Sequence, residues 1–318
     1  MALDMRPPVV DPDFRDDGID AWRALHDTLA EPLRSFLHPE PLRLLDELAE
    51  PATNHQRRED IGLRLHQKGD PRRGVGLRPD GLPDILWMPV GTGEVTLITK
   101  AHEQFTFTVD AFEMARYPVT WRQYRAFIDS SDGFCDPRWW QGLAADEAHR
   151  AHPGDPKWAF DSHPVIQVSW YDAMAFCRWL TERLGEPVRL PIEWEWQWAA
   201  TREGGVHYSW RRSWDTSQAN SYESGIGRTV AVGIYPSGRS AWGLDDLSGN
   251  VREWCANEHG PPMRTDPNST VARVLRGGSW RYGAEFLSVD DRYESVPDFR
   301  SGSIGLRVCR ASPILHSS

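Results

Sequence analysis

The chain has 318 residues, of which 40% are hydrophobic and 26% are charged, and its formal net charge is -10. This length allows one large domain or two ordinary ones, with enough apolar material for a core. The acidic balance and the lack of a basic tract argue against nucleic acid as a partner, because clustered Lys and Arg are needed to neutralise phosphates. The 16 Trp, 26 Gly and 24 Pro indicate many turns around aromatic anchors, unlike a helical bundle.

The N-terminus and the cysteines predict the compartment. The first residues are acidic and proline-rich and lack the apolar run of a signal peptide. No later stretch is long enough to span a bilayer, so we expect a cytoplasmic protein. The cysteines have none of the short spacings of zinc sites; they are Cys135, Cys177, Cys255 and Cys309. Two long-range disulfides could join them, but we favour four small buried thiols, the commoner state in a cytosolic chain.

The chain divides into an N-terminal region and a main domain. Pro and Asp dominate residues 1–18, which are predicted to be a disordered leader. Apolar residues at helical spacing, interrupted by prolines, predict two or three short helices over residues 19–48. Another helix is predicted over residues 54–68, before a Gly- and Pro-rich linker. We therefore assign residues 19–85 to a helical region with its linker, and residues 86–318 to the main domain.

The main domain is predicted to start with strands and to continue with helices separated by loops. Short apolar, β-branched runs predict strands over residues 85–90, 95–98 and 105–108. Two helices are predicted after the N-cap residues Thr120 and Ser169, and Gly185 is suited to end the second. Pro191 is predicted in the first turn of a third helix, with acidic residues complementing its positive end. From Arg202 onward only short strands and loops are expected.

Five sequence blocks, taken in order, resemble a known family. They read HPVIQVSWYDAMAFCRWL, VRLPIEWEWQWAA, GLDDLSGNVREWC, RVLRGGSW and IGLRVCR. Together they resemble the formylglycine-generating enzymes, also called sulfatase-modifying factor domains, over roughly residues 86–310. The resemblance implies an α+β, C-type-lectin-like fold with little regular secondary structure and a long C-terminal loop region. Individually, the Gly and Trp residues of these blocks are first of all architectural.

The resemblance implies metal chemistry that this sequence matches poorly. Formylglycine-generating enzymes bind copper through two cysteines after the GGS block, since thiolates are soft ligands. Here that stretch reads GGSWRYGAEFLSVDDRYES and contains no cysteine. A second branch of the fold joins thiols to histidine derivatives at an iron site, and the N-terminal histidines lack the HxxxHxE spacing of that site; they are His26, His38, His55 and His66. A metal-dependent oxidase or thiol-transfer enzyme is therefore the alternative function.

The resemblance also implies a structural calcium ion held by loop oxygens. The matching residues are Asn220, Glu223, Asn250 and Glu253. In the alternative interpretation, Asn250 caps its own turn and Glu253 pairs with an arginine. The sequence leaves both interpretations open, and no other cofactor is expected.

The segment Arg281–Ser303 has the composition of a binding surface, because aromatic side chains supply rigid contact area and Arg supplies forked donors. Its layout resembles the variable proteins of diversity-generating retroelements, which present a C-terminal segment altered by mutagenic reverse transcription. The residues that match the constant framework are Arg292, Pro297, Asp298, Arg300, Ile304, Gly305 and Arg307. The residues predicted to contact a ligand are Arg281, Tyr282, Phe286, Ser288, Tyr293, Glu294, Ser295, Phe299, Ser301, Gly302 and Ser303. All but Glu294 are reachable from an Asn codon by changing its two adenines.

The sequence thus predicts a non-catalytic display protein that binds an unidentified protein or other macromolecule through residues 281–303. We expect Tyr282, Tyr293 and Phe299 to be exposed, since a turn-rich terminal segment cannot bury every aromatic. Phe286, Leu287 and Val289 are alternatives for core residues beneath the loop. The arginines are expected to be buried partners that hold the segment in shape: Arg292, Arg300 and Arg307 against Asp290 and Asp298.

Overall fold

The computed structural model describes residues 40–98, 103–201, 207–210, 213–260 and 264–311. The predicted leader and most of the predicted helical stretch 19–48 lie outside the described residues. Helix α1 (Glu40–Ala49) and helix α2 (His55–Lys68) are the first described elements. The second confirms the helix predicted there, and the Asn54 side chain caps it by accepting from Arg57 N at 2.9 Å.

Helices α1 and α2 pack on the main domain. Their buried apolar residues contact a loop of the domain, and this cluster comprises Leu44, Leu48, Ile61, Leu65, Val230, Ala231, Ile234 and Tyr235. At Gly62 the approach is so close that an added Cβ would lie 2.9 Å from Ala231 Cβ. The Arg58 guanidinium donates to the carbonyls of Leu48 and Ile234, each at 2.8 Å. The two helices therefore share a core with the domain.

Four further helices follow: α3 (Trp121–Asp129), α4 (Glu147–Ala151), α5 (Trp170–Leu184) and α6 (Glu193–Thr201). Capping boxes at Thr120 and Ser169 begin α3 and α5. Gly185 ends α5 with a φ of 71°, a left-handed conformation that favours glycine. The three sequence predictions about these helix ends are confirmed.

The start of α6 differs from the prediction. Pro191 lies two residues before the helix, and its carbonyl accepts from Ala256 N at 2.9 Å, which holds it in the strand-like approach to α6. Glu195 accepts from Ile192 N at 2.8 Å and so takes the capping role. Glu193 and Glu195 both lie in the first turn, as predicted, and the Glu193 side chain is buried there. The prediction that Pro191 occupies the first turn is therefore wrong.

Within the described residues, ten short strands form three sheets. They are β1 (Trp87–Val90), β2 (Gly93–Ile98), β3 (Gln104–Val109), β4 (Phe112–Ala115), β5 (Val188–Arg189), β6 (Arg252–Glu258), β7 (Arg273–Arg276), β8 (Tyr293–Ser295), β9 (Ile304–Gly305) and β10 (Cys309–Ala311). One sheet has the order β1-β4-β10-β5, another is the β2-β3 hairpin, and the third has the order β8-β7-β6-β9. All pairs are antiparallel except β6 with β9. The three strands predicted from the β-branched runs are confirmed as β1, β2 and β3.

The core joins helix α5 to strand β6 through paired tryptophans. Trp170 Nε1 donates to the Cys255 carbonyl at 2.9 Å, and Trp254 Nε1 donates to the Val168 carbonyl at 3.0 Å. Both indoles are fully buried and so place their apolar rings in the core while their polar atoms stay satisfied. Strand β6 is thereby fixed beneath the C-terminal segment.

The cysteines and the helices test two smaller predictions. All four cysteines are free, and Cys177, Cys255 and Cys309 are buried, but Cys135 is exposed. The prediction of four buried thiols is therefore wrong at Cys135, which lies in the irregular stretch after α3. None of the helices in the described residues has both the length and the apolar character needed to cross a bilayer.

Candidate functional site

The segment Arg281–Ser303 leaves β7 through two glycines that the packing requires. Gly277 has a φ of 72°, and a Cβ at Gly278 would lie 2.3 Å from Leu287 Cγ and 2.9 Å from Leu287 Cα. At the other end, a Cβ at Gly305 would lie 2.6 Å from the Val165 carbonyl oxygen. Side chains are thus excluded where the segment enters and leaves the sheet.

Between these glycines the segment has little regular structure, and buried arginines hold it in place. Arg292 donates to both carboxylate oxygens of Glu193, from Nε to Oε1 and from Nη2 to Oε2, and the second distance is 2.8 Å. Arg300 donates to both oxygens of Asp172 at 2.7 Å and also to the carbonyls of His149 and His152. Such forked pairs fix both the position and the orientation of a backbone stretch.

Arg307 completes this set, which we call the framework arginines: Arg292, Arg300 and Arg307. It donates to both oxygens of Glu253, with Nη2 at 2.7 Å, and to the carbonyl of Asp245 at 2.7 Å. The expectation that these arginines are buried partners is right in kind, but the predicted partners Asp290 and Asp298 are wrong. Asp290 instead accepts from Gln197 at 2.8 Å, and Asp298 is exposed.

The surroundings of two of these pairs lower the pKa of the carboxyl group in each. Burial would raise the pKa of Glu193, but the hydrogen bond from Arg292 and the charges of Arg276 and Arg292 hold that pKa below its usual value. Burial would likewise raise the pKa of Asp172, and hydrogen bonds from His149 and Arg300 lower it. Both carboxyls therefore stay ionised at neutral pH and keep their arginines.

Several predicted contact residues meet around Arg252. Its guanidinium lies between two rings, with Cζ 3.9 Å from the centroid of Tyr282 and 3.5 Å from that of Tyr293. Phe286 packs edge-on against Tyr282 at 6.0 Å, and the Tyr293 hydroxyl donates to the Phe286 carbonyl at 3.0 Å. Tyr282 and Tyr293 are consequently partly buried, whereas both were expected to be exposed.

A second group of aromatic and cationic side chains adjoins the first. Arg281 lies over the Trp280 ring at 5.6 Å, and Trp280 packs edge-on against Trp158 at 5.8 Å. Lys157 lies over the Trp158 ring at 5.0 Å. Trp280 Nε1 donates to the Gly302 carbonyl at 3.0 Å, which ties this group to the end of the segment. We call the combined set the aromatic–cation surface: Lys157, Trp158, Arg252, Trp280, Arg281, Tyr282, Phe286 and Tyr293.

The other predicted contact residues lie around this surface with varied accessibility. Phe299 is 47% exposed and Phe286 is 44% exposed, so Phe286 is not a core residue, whereas Leu287 and Val289 are buried. Ser288, Ser295, Ser301 and Gly302 are partly exposed, and Glu294 is exposed and pairs with His259 at 2.9 Å. Ser303 is buried, and its hydroxyl contacts Ser301 at 3.1 Å, so it is the one predicted contact residue without accessible surface.

The four residues predicted to bind calcium are not brought to one centre. Asn220 and Asn250 are hydrogen-bonded to each other at 3.2 Å, and Asn250, with a φ of 63°, accepts from Val230 N at 3.0 Å. Glu223 accepts from Ala284 N at 2.9 Å, while Glu253 is bound to Arg307. The residues therefore do not fit a single calcium site, and the alternative roles for Asn250 and Glu253 describe what they do here.

The histidines considered for iron are dispersed in the described part of the chain. His55 lies 2.9 Å from the Tyr235 hydroxyl, and His66 accepts from Asp161 N at 3.3 Å; His26 and His38 lie outside the described residues. His163 is buried, and burial lowers its pKa to about 3, so it is neutral. Within the described residues, no group of three or more His, Cys, Asp or Glu side chains is arranged to hold a metal ion.

Sequence reasoning missed Arg252, Trp158 and Lys157. A signal existed for Arg252, because neighbouring strand residues point to opposite faces and Glu253, its neighbour, was already expected to bind calcium or pair with an arginine. Trp158 and Lys157 come from an irregular stretch more than 120 residues before the segment, and no local pattern places them there.

Comparisons with known proteins agree with this architecture. A family profile described as the sulfatase-modifying factor enzyme 1-like domain matches residues 76–312. The hercynine oxygenase of Mycolicibacterium smegmatis is 29% identical over 282 residues, which cover 78% of this chain and 64% of that protein. The formylglycine-generating enzyme of Streptomyces coelicolor is 32% identical over 184 residues, which cover 49% and 55%. The chain thus spans less than two thirds of the length of each of these two relatives.

Solved structures show the same fold at low sequence identity. Treponema denticola variable protein 1 superposes with a TM-score of 0.54 at 22% identity, over 71% of this chain and 95% of that one. PvdO from Pseudomonas aeruginosa superposes with a TM-score of 0.55 at 23% identity, over 71% and 94%. The predicted α+β, C-type-lectin-like fold is confirmed.

Proposed function

Because the chain belongs to the sulfatase-modifying factor enzyme 1-like family, we propose that it uses this fold without catalysis, as a display protein that binds a macromolecular ligand. In this proposal residues 281–303 are diversified by a retroelement, and the aromatic–cation surface with its neighbours is the ligand-binding face. The cytoplasm is the proposed compartment.

The observation that carries the proposal is the separation of two kinds of position within one segment. The framework arginines reach inward to acids of helices α5 and α6 and strand β6, so the backbone path does not depend on the side chains between them. Ten of the eleven predicted contact positions are exposed or half-buried, and Ser303 is buried. A protein whose recognition residues change must keep most of its fold-determining contacts on other side chains, and the pairs of the framework arginines support this proposal.

Gly278, just before the segment, and Gly302, within it, show the same separation. A Cβ at Gly278 would overlap Leu287, and Gly278 belongs to the constant framework. A Cβ at Gly302 would meet no atom within 4 Å, and Gly302 has no positive φ, so any residue fits at this predicted variable position. Sequence freedom thus coincides with steric freedom.

The direct test is population sequencing of the coding stretch for residues 281–303 in cells that carry the natural gene locus. The proposal expects substitutions concentrated at codons such as those of Tyr282, Phe299 and Gly302, with the codons of Arg292 and Arg300 constant. A substitution pattern equal to that of the codons for α5 would contradict diversification. A near-identical template copy beside a reverse transcriptase gene would support it independently.

The second candidate is a metal-dependent oxidase or thiol-transfer enzyme, which the similarity to hercynine oxygenase favours. Metal analysis of the purified full chain separates the two functions. Stoichiometric copper or iron together with oxygen-dependent turnover would establish the enzyme and overturn the display function. Binding of a macromolecule by a chain free of these metals would support display.

A further inference from the structure

The aromatic–cation surface carries three cations, and the charge of Arg252 acts on Asp291, whose pKa burial raises and that charge lowers. Lys157, Arg252 and Arg281 each lie over an aromatic ring, at centroid distances of 5.0, 3.5 and 5.6 Å. None of them forms an ion pair with a carboxylate of the described residues. The framework arginines, by contrast, are each paired with a carboxylate. The lack of ion pairs is also unexpected in a chain with a net charge of -10, because acidic residues outnumber basic ones. Unpaired cations in such a chain indicate that their partner comes from outside.

Arg252 is the most strictly positioned of the three. It begins strand β6, where its N–H donates to the Ser303 carbonyl at 3.0 Å and its Cα pairs with Ile304. A guanidinium held between two ring faces keeps its N–H donors in its own plane, where a planar acceptor can reach them. Arg252 Nε is buried and has no hydrogen-bond partner among the described residues. Because this Nε is buried, a ligand carboxylate would meet the two Nη groups of Arg252 instead.

We infer that the aromatic–cation surface binds a carboxylate side chain of an acidic polypeptide segment, with Arg252 as the fixed fork that receives it. The inference rests on the proposed function and names the ligand chemistry of the same site. Arg252 lies outside residues 281–303, so it stays constant while the segment varies. Variants of the segment that keep aromatic rings at positions 282 and 293, between which Arg252 is held, would then share a requirement for an acidic group at one point.

Acids beside this surface favour a localised carboxylate over an extended polyanion. Glu223 and Glu285 both lie next to Gly283, 3.0 and 2.8 Å from where its Cβ would be, and Asp291 accepts from the Tyr293 hydroxyl at 3.2 Å. A nucleic acid carries charge along its whole length and would meet these carboxylates. A single Asp or Glu side chain meets only the guanidinium, with which it can form two parallel hydrogen bonds.

The test is selection of a random dodecapeptide phage library on the immobilised full chain, in parallel with three variants. Wild type is expected to enrich Asp and Glu in the recovered peptides, and Arg252→Gln to lose that enrichment. Arg252→Lys keeps the positive charge but loses the forked donors, so it should retain part of the Asp and Glu enrichment. The matched control is Arg138→Gln, because Arg138 also stacks on an aromatic ring, Trp139 at 4.7 Å, but is already paired with Asp132 and Asp136.

Fluorescence anisotropy then measures the best acidic peptide against its Glu→Gln counterpart and against oligothymidine. We expect the Gln peptide, and the Arg252→Gln variant, to bind about tenfold more weakly or worse, as the loss of a charge-assisted hydrogen bond predicts. Recovery of no peptide, acid enrichment unchanged in Arg252→Gln, or tighter binding of oligothymidine would each overturn the inference. Recovered peptides without acidic preference would overturn it while leaving the display function standing, whereas invariant population sequences would count against that function alone. Unchanged thermal midpoints confirm that the variants are folded.

Discussion

Arginines in and around one short segment behave in two opposite ways. The framework arginines point inward, where each meets a carboxylate in a forked pair. Arg281 is exposed over the Trp280 ring and Arg252 lies half-buried between two tyrosine rings, and neither forms an ion pair with a described carboxylate. The same type of side chain thus serves structure in one environment and, in our proposal, recognition in the other. Burial and the presence of a neighbouring carboxylate decide which of the two roles an arginine takes.

The difference teaches that stability and recognition can be assigned separately even within an irregular segment. A loop with few ladder hydrogen bonds would ordinarily depend on its own side chains for shape. Here forked pairs to Glu193, Asp172 and Glu253 take over that task, and the remaining positions are free to differ. Removing a framework arginine should therefore cost stability, while removing a surface residue should cost binding.

The largest expected effect is that of Arg292→Met. This change leaves the Glu193 carboxylate buried, with Arg276 as a more distant cation at 3.6 Å and Asn257 as a weak donor at 3.4 Å. Breaking one side of a buried pair leaves an uncompensated charge, and we expect a loss of about 3–5 kcal/mol in the free energy of unfolding. Urea unfolding followed by tryptophan fluorescence measures it. The control Arg281→Met should change stability by less than about 0.5 kcal/mol, and equal losses in the two variants would break the comparison.

The next effect concerns an acid that lacks such a pair. Burial raises the pKa of Asp246 to about 7, with a further contribution from Asp245, and its only described hydrogen bond comes from Gly233 N at 2.7 Å. Since the folded pKa lies above the unfolded value near 3.8, the folded state binds the extra proton between these two pH values. Stability therefore falls as pH rises from about 4 to about 7 and stays reduced above it.

Asp246→Asn removes this cost and suits the left-handed backbone, with a φ of 61° at that position. The variant should gain up to about 4 kcal/mol at pH 8 and almost nothing near pH 4, as urea midpoints at the two pH values would show. Asp245→Asn is the control, because Asp245 pairs with Arg116 at 2.8 Å and should lose stability instead. A gain for Asp246→Asn that does not depend on pH would refute the assigned cause.

A smaller effect distinguishes the two glycines of the segment. Gly278→Ala places its methyl group against Leu287 side-chain and backbone atoms and should cost about 1–3 kcal/mol. Gly302→Ala meets no neighbour and should be neutral or stabilise by up to about 1 kcal/mol, since it reduces the freedom of the unfolded chain. Thermal unfolding of both variants measures the contrast. Equal destabilisation would mean that Gly302 is framework rather than a variable position.

Local signals in the sequence predicted most of the regular structure. Capping residues and helical spacing located α3 and α5, and β-branched runs located β1, β2 and β3, because each signal lies within the element it specifies. Pro191 shows the limit of such signals. Proline favours the first turn of a helix, but the carbonyl of Pro191 accepts a hydrogen bond from Ala256 of strand β6, far along the chain, and this contact holds it outside the helix.

The candidate site depended on contacts that no short pattern encodes. The sequence indicated that the arginines are buried, but it favoured the nearby acids Asp290 and Asp298. The actual partner of Arg292 is 99 residues away and that of Arg300 is 128 residues away. Likewise, the exposure expected for Tyr282 and Tyr293 failed because Arg252, from another strand, fills the space between their rings. Phe299 has no such neighbour and is exposed as predicted.

The smallest effects should separate Tyr293 from Phe299, although both were first grouped as exposed contact residues. Tyr293→Ala removes a ring 3.5 Å from the Arg252 guanidinium and a hydroxyl bonded to the Phe286 carbonyl, so we expect a loss of about 1–2 kcal/mol in unfolding free energy. Phe299→Ala removes a ring that is 47% exposed and should change stability by less than about 0.5 kcal/mol. Tyr293→Phe keeps the ring beside Arg252 and should fall between the two, as thermal midpoints would show. If Phe299→Ala proved as costly as Tyr293→Ala, Phe299 would belong to the scaffold, and the outward face of the segment would be confined to the residues around Arg252.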